Sequence, residues 1–290
     1  MFEGFQQHRF KTEDAEIFTL TGGAGPPLLL LHGYPQNHFM WHRVALRLRD
    51  HFSLVIPDLR GYGESKGPAP DPEHVNYSKR TMGKDMVAVM ARLGFDRFHV
   101  AGHDRGGRVA YRLALDHPQL VTRLALLDIL PTLEVWDRMN ADSAIRTFHW
   151  LLLAQPAPLP EMFINHNPEF FMQYVFSRWA AQDALDPEAI AEYLKSFQRE
   201  SVVEASCEDY RAGATVDFEH DRVDRAAGRK ISCPVLLVYS KRYLTVKDSS
   251  PLEVWQAWAT EVRDVGLDCG HFVAEEKPEA TAAALEEFFT

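Results

Sequence analysis

Residues 102–108 read Gly102-His103-Asp104-Arg105-Gly106-Gly107-Arg108, with glycines flanking a central aspartate at the spacing of a nucleophile elbow. Such an elbow is a strand, a sharp turn of the form G-x-nucleophile-x-G, and a helix that starts at once. Small residues let the backbones approach closely, the strained turn lifts the central side chain above the sheet edge, and the free N–H groups of the helix start favour an anion. The plain alternative is a helix capped by aspartate after a strand. As a nucleophile, the Asp104 carboxylate would attack carbon, expel a leaving group directly and form an alkyl ester, a displacement in which serine has no advantage. Water then opens the ester, a step that needs a general base and donors for the oxyanion forming on the former aspartate side chain.

Residues for those roles stand after other apolar runs. Gly270-His271 follows a predicted last strand, and Asp128 follows Leu124–Leu127, so the order nucleophile, acid, histidine is available as Asp104, Asp128, His271. His32-Gly33-Tyr34-Pro35 follows Leu28–Leu31, which makes the backbone N–H groups of Tyr34 and Arg105 the expected oxyanion donors. Taken singly, His32 reads as a turn residue and His271 as a partly buried surface group, but four such elements at the right strand ends rarely arise together. Asp248 rivals Asp128 for the acid, and the neighbouring Lys241-Arg242-Tyr243 has no evident role.

Arg108 lies one helical turn after Asp104 on the same face, and Arg105 sits beside it at the helix start. Two guanidiniums can clamp a substrate carboxylate, orient its carbon for in-line attack and offset its repulsion from Asp104. Alternatively, one or both pair with Asp or Glu and only brace the helix.

The wider sequence supplies the scaffold. Leu28–Leu31, Leu54–Ile56, Phe98–Ala101, Leu124–Leu127 and Val235–Tyr239 read as buried strands, and Lys79–Leu93 and Arg105–His117 as amphipathic helices between them. Alternation of this kind predicts a parallel sheet with helices on both faces and ligands beyond the carboxyl ends of the strands. From 131 to 213 the chain is rich in Trp, Phe, Met and Pro and reads as helical, a cap inserted into a core formed by 1–130 and 214–290. The 290 residues, 46% of them apolar, suffice for a sizeable core, while a net charge of −10 argues against a nucleic-acid partner. No apolar run approaches the length of a membrane span, and no export signal opens the chain. Cys207, Cys233 and Cys269 are isolated and fit reduced thiols in a cytoplasm, with no metal-like cluster.

The sequence resembles the α/β-hydrolase superfamily over nearly its whole length. Besides the elbow, the loop Asp58-Leu59-Arg60-Gly61-Tyr62-Gly63-Glu64-Ser65 and the segment Ala114-Leu115-Asp116-His117-Pro118 carry the likeness. Within that superfamily GHDRGGR looks like the fluoroacetate (haloacetate) dehalogenases, as do His149-Trp150 and Cys207-Glu208-Asp209-Tyr210-Arg211-Ala212-Gly213 in the cap. The resemblance implies an α/β-hydrolase fold, a mostly parallel doubly wound sheet with an inserted helical cap. It also implies Asp128 as the acid, a halide pocket of His149, Trp150 and Tyr210, a short 2-haloacid as substrate, no metal or organic cofactor, and a homodimer. From the residues alone, His149-Trp150 reads as cap packing.

The nearest rival is an epoxide hydrolase, which shares the aspartate and the HGxP loop and would take two cap tyrosines from Tyr174, Tyr193 and Tyr210. It has no use for the arginine pair, since epoxides are usually neutral. A non-catalytic ligand-binding protein of the same fold is a further alternative, although no catalytic residue is missing, and Asp104 argues against a serine esterase.

Overall fold

The computed structural model describes residues 2–182 and 184–290. Its strands are β1 (Gln6–Lys11), β2 (Glu16–Gly22), β3 (Pro27–Leu31), β4 (Ser53–Pro57), β5 (Phe98–His103), β6 (Val121–Leu127), β7 (Val235–Ser240) and β8 (Val262–Leu267). They form one sheet in the order β1-β2-β4-β3-β5-β6-β7-β8. β2 runs antiparallel to both β1 and β4, and the other pairs are parallel.

The five expected strands are β3 to β7. They read clearly because both faces are covered: Leu28–Leu31 and Leu124–Leu127 are buried throughout, giving unbroken apolar runs. β1 and β8 are edge strands with mixed exposure, QQHRFK and VRDVGL, and a half-solvated edge leaves no such run. The strand foreseen before Gly270 is β8.

Strand order reverses between β3 and β5, because the chain moves outward from β3 to β4 and then returns to place β5 on the opposite side. Loops leaving adjacent strands on either side of such a switch point diverge and open a crevice. Here those loops carry His32-Gly33-Tyr34 and Asp104.

Among the described residues no strand lies between Leu127 and Val235. The intervening helices run from Thr132–Asp137 to Glu200–Ala214, and Val216–Ala226 follows them back towards β7. They roof the crevice with Trp150, Trp179 and Tyr210, all buried.

Candidate active site

The backbone at Asp104 is held in an uncommon conformation. β5 ends at His103, the helix Asp104–Asp116 begins immediately, and Asp104 has φ of 46°. The turn closes so tightly that a Cβ on Gly102 would lie 2.5 Å from the Gly106 carbonyl oxygen, and one on Gly106 would lie 2.3 Å from that of His32. Asp128, at the end of β6, is also left-handed, with φ of 54°. Non-glycine residues in this region are strained, and such strain concentrates at functional sites.

These conformations bring the three expected catalytic groups together. The Tyr34 N–H donates to Asp104 Oδ1 at 2.9 Å, while Asp104 Oδ2 lies 3.9 Å from His271 Nε2, beyond hydrogen-bond length. His271 Nδ1 is 2.6 Å from Asp128 Oδ2, and Asp128 Oδ1 accepts the Ser240 N–H at 2.7 Å. Asp128 is therefore the partner of His271, and the rival Asp248 lies exposed on another loop. The Arg105 amide, second in its helix, has no intrahelical acceptor by geometry and stays available as an oxyanion donor.

Burial would push the Asp104 carboxyl up, but positive groups around it, His271 foremost and both arginines among them, hold it down at about 2. It is thus ionised at neutral pH, as a nucleophile would have to be. Burial also pushes the His271 imidazole down, but its hydrogen bond and charge interaction with Asp128, aided by Asp104, leave it above the ordinary value.

The two arginines have different partners. Arg105 donates from Nε to Asp209 Oδ2 at 2.9 Å, and from Nη2 to Asp209 Oδ1 at 2.6 Å and the Asp209 carbonyl at 2.7 Å. Most of its fork is engaged in bracing, although Nη1 has no partner among the described residues. Its guanidinium carbon lies 4.0 Å from the Tyr210 ring centroid. Asp209 also accepts the Tyr62 hydroxyl at 2.8 Å and the Lys79 ammonium.

Arg108 donates from Nη1 to the Leu130 carbonyl at 2.9 Å and to Thr132 Oγ1 at 3.2 Å, and packs 4.5 Å from the Trp150 ring centroid. Its Nε has no partner, and among the described residues no carboxylate lies within ion-pair distance of it. Burial first, then Arg105, lowers its pKa. A buried cation without a counter-ion is costly unless a ligand supplies one. Asp209 was missed as a site residue, although the run CEDYRAG contains it. The available signal was chemical, since a buried elbow arginine needs a carboxylate.

His149, Trp150 and Tyr210 meet above these groups. The ring centroids of His149 and Tyr210 are 5.6 Å apart, those of Trp150 and Tyr210 5.8 Å, and Tyr34 lies 5.3 Å from Tyr210. Burial above all lowers the His149 pKa to about 3, so its ring is neutral at pH 7. His149 Nδ1, Tyr34 Oη, Tyr210 Oη and Trp179 Nε1 are buried without hydrogen-bond partners among the described residues. Clustered unsatisfied polar groups of this kind suit a polar or anionic guest. Of the three tyrosines considered for an epoxide, Tyr174 is exposed and Tyr193 donates to Glu275 at 2.9 Å, leaving Tyr210 alone beside the site.

Trp179 and Glu276 were invisible to motif reasoning, because each acts through backbone groups. The Trp179 carbonyl accepts the His271 N–H at 2.8 Å. Glu276 accepts N–H bonds from Gly270 at 2.7 Å, Phe272 at 3.0 Å and the cap residue Ala181 at 3.0 Å. It therefore fastens both neighbours of the histidine. Glu276→Gln, which offers one acceptor oxygen in place of two, should slow turnover roughly 10–100-fold by misplacing the imidazole. Steady-state kcat measures the loss, and an undiminished first-turnover burst of leaving group separates it from loss of folded protein.

Among the described residues no group of three His, Cys, Asp or Glu side chains is placed to hold a metal ion. Among the described residues no helix is long and apolar enough to cross a membrane. The three cysteines are free and buried.

The alpha/beta hydrolase fold family matches residues 26–278. The chain belongs to the α/β-hydrolase family. This α/β-hydrolase is 43% identical to a fluoroacetate dehalogenase of Burkholderia sp over 292 aligned positions, covering 100% of the chain and 95% of the relative. It is 31% identical to a soluble epoxide hydrolase of Corynebacterium sp. (strain C12), covering 97% and 96%. Among solved structures, a chain from Nostoc sp PCC 7120 assigned to the α/β-hydrolases is 47% identical, with a TM-score of 0.97 over 100% of this chain and 99% of that one. The α/β-hydrolase thus has dehalogenase and epoxide hydrolase relatives, and its site chemistry bears on the choice between them.

Proposed function

We propose that the protein is a hydrolytic dehalogenase of short 2-haloacids, converting fluoroacetate or chloroacetate to glycolate and halide without a metal or organic cofactor. Arg108 carries the reading: a buried guanidinium with no carboxylate partner among the described residues, four residues after the proposed nucleophile, calls for an anionic substrate. The similarity to the fluoroacetate dehalogenase agrees with it.

In this reading the substrate carboxylate takes the free donors of Arg108 and Arg105 Nη1. Asp104 Oδ2 attacks the halogen-bearing carbon and forms an ester, while the carbon–halogen electron pair leaves with the halide. His149 and Tyr210, with Trp150, supply N–H and O–H donors to that halide, which matters most for fluoride because it is tightly hydrated. His271 Nε2 then takes a proton from water, whose oxygen attacks Asp104 Cγ. The oxyanion forms on Oδ1 against the amides of Tyr34 and Arg105, and its collapse breaks the Cγ–Oδ2 bond and expels the glycolate oxygen, which takes the proton back from His271.

The test is release of fluoride and of chloride from the two haloacetates, with a small epoxide as control. Single turnover in heavy-oxygen water should place the label in Asp104 and leave the first glycolate unlabelled; label appearing first in glycolate rules out the ester. Epoxide turnover without halide release would favour the epoxide hydrolase reading, which the 31% identical relative and the free Tyr34 and Tyr210 hydroxyls recommend as the control. The resemblance also supports a homodimer, which light scattering would measure.

The pH dependence has a defined direction. His271 works as a base only when neutral, so ester hydrolysis should fall as pH drops through its pKa. Asp104 is one of the charges that raise that pKa, and esterification removes it. Single-turnover hydrolysis should therefore inflect at a lower pH than the NMR titration of His271 in the free protein.

A further inference from the structure

The segment Lys241-Arg242-Tyr243, after β7, has no place in the chemistry above. Its backbone is fixed from the triad side: Ser240 Oγ accepts the N–H of Arg242 at 3.1 Å and of Tyr243 at 2.8 Å, while the Ser240 N–H holds Asp128. The exposed Arg242 side chain pairs with Asp268 and keeps the segment against the loop after β8. This anchoring sets the Tyr243 ring against the catalytic base, with ring centroids 4.6 Å apart and planes inclined by 37°. On another side the ring lies 6.3 Å from Trp179.

Beyond Tyr243 is a cavity of about 660 Å³, bounded by residues 130–147 of the cap side and 243–248. Three of its wall residues are each one contact from the active site. Tyr243 packs on His271, the Leu130 carbonyl accepts from Arg108, and the Thr147 carbonyl accepts the N–H of Trp150 in the halide pocket. Asp104 does not line the cavity. The cavity is thus a vestibule that abuts the catalytic centre while Tyr243 stands between them. Its walls mix apolar surface from Val135, Met139 and Leu244 with charges of both signs, Arg138, Arg146 and Lys247 against Glu134, Asp142 and Asp248. The apolar part of such a space suits an alkyl tail.

We propose that Tyr243 sets the upper size limit of the substrate, its ring closing the catalytic centre against this vestibule. The inference rests on the haloacid reading and adds the residue that determines chain length. A 2-haloacid keeps its carboxylate on the arginines and its reacting carbon at Asp104, so further carbons must project away from both. With Tyr243 in place that space is occupied; without its ring the vestibule joins the site.

The experiment compares chloroacetate, 2-chloropropanoate and 2-chlorohexanoate in wild type, Tyr243→Ala, Tyr243→Leu and Tyr243→Phe. Chloride release from chloroacetate by the wild type secures the reaction independently of the inference. Tyr243→Ala should then raise the kcat/KM ratio of 2-chlorohexanoate to chloroacetate about ten-fold or more, Tyr243→Leu less, and Tyr243→Phe should keep the wild-type ratio. The gain should lie mainly in KM for the longer acid. An unchanged ratio in folded Tyr243→Ala and Tyr243→Leu overturns the proposal. Equal loss of all three substrates in both variants, with the ratio unaltered, also overturns it and makes Tyr243 a brace for His271. If Tyr243→Ala does not fold, Tyr243→Leu decides by the same ratio.

Discussion

His271→Ala protein given a haloacetate should release about one halide per site and then stop, with a carboxymethyl group on Asp104 visible as added mass. The proposed mechanism has two half-reactions with different needs. Attack on carbon needs ionised Asp104, which is secured by its depressed pKa of about 2. Opening the ester needs a base at the Nε2 position, 3.9 Å from Oδ2, and among the described residues His271 is the imidazole that both faces Asp104 and is oriented by Asp128. Loss of a general base costs roughly 10²–10⁴-fold, enough for the ester to outlast a mass measurement. Asp104→Asn gives the complementary result, no burst and no adduct. Unmodified, fully active His271→Ala protein would remove the histidine from the base role. Adduct on a residue other than Asp104 would move the nucleophile.

Arg108→Met should cost about 10²–10⁴ in kcat/KM for haloacetate while leaving stability within about 1 kcal/mol of wild type or above it. The catalytic figure follows from removing a charge-assisted contact to a buried carboxylate, worth about 3–5 kcal/mol when one partner is deleted. The stability expectation follows from the empty protein, where Arg108 is a desolvated cation with no counter-ion among the described residues; losing that penalty offsets the lost bonds to Leu130 and Thr132. Arg105→Met should behave differently. Among the described residues it leaves Asp209 with Lys79 and Tyr62, so roughly 3 kcal/mol or more of stability should go with it. Thermal unfolding and kinetics on the two variants distinguish a ligand-binding arginine from a bracing one. If both lose stability alike and Arg108→Met keeps its haloacetate kinetics, the clamp is wrong.

Much of this site was legible because the α/β-hydrolase fold puts functional residues where strands stop. An apolar run marks the strand, and the residue just past it marks the site, so Asp104, Asp128, His271 and Tyr34 could each be read from local sequence. The dividing line falls between residues whose role is set by strand position and those whose role depends on a distant partner. Nothing near Arg105 distinguishes a clamp from a brace; the answer lies 104 positions away at Asp209. Tyr243 looked unexplained because its neighbours, His271 and the vestibule, come from other parts of the chain. Glu276 left no motif because it binds amides, which every residue carries.

The attachment of the histidine loop has a mechanical consequence. The His271 amide bonds to the Trp179 carbonyl, and Glu276 ties Ala181 to the same loop, so the base is fastened partly to the cap and only partly to the sheet. Residues 179–181 and the His271 loop are thereby tied together, and lifting the former should loosen the imidazole from its setting. In the proposed reaction, water reaching the ester while residues 179–181 are displaced would meet a misplaced imidazole, so hydrolysis is expected only with these residues in place. Hydrogen exchange at the His271 amide should accordingly keep pace with that of the cap rather than with the strands of the sheet.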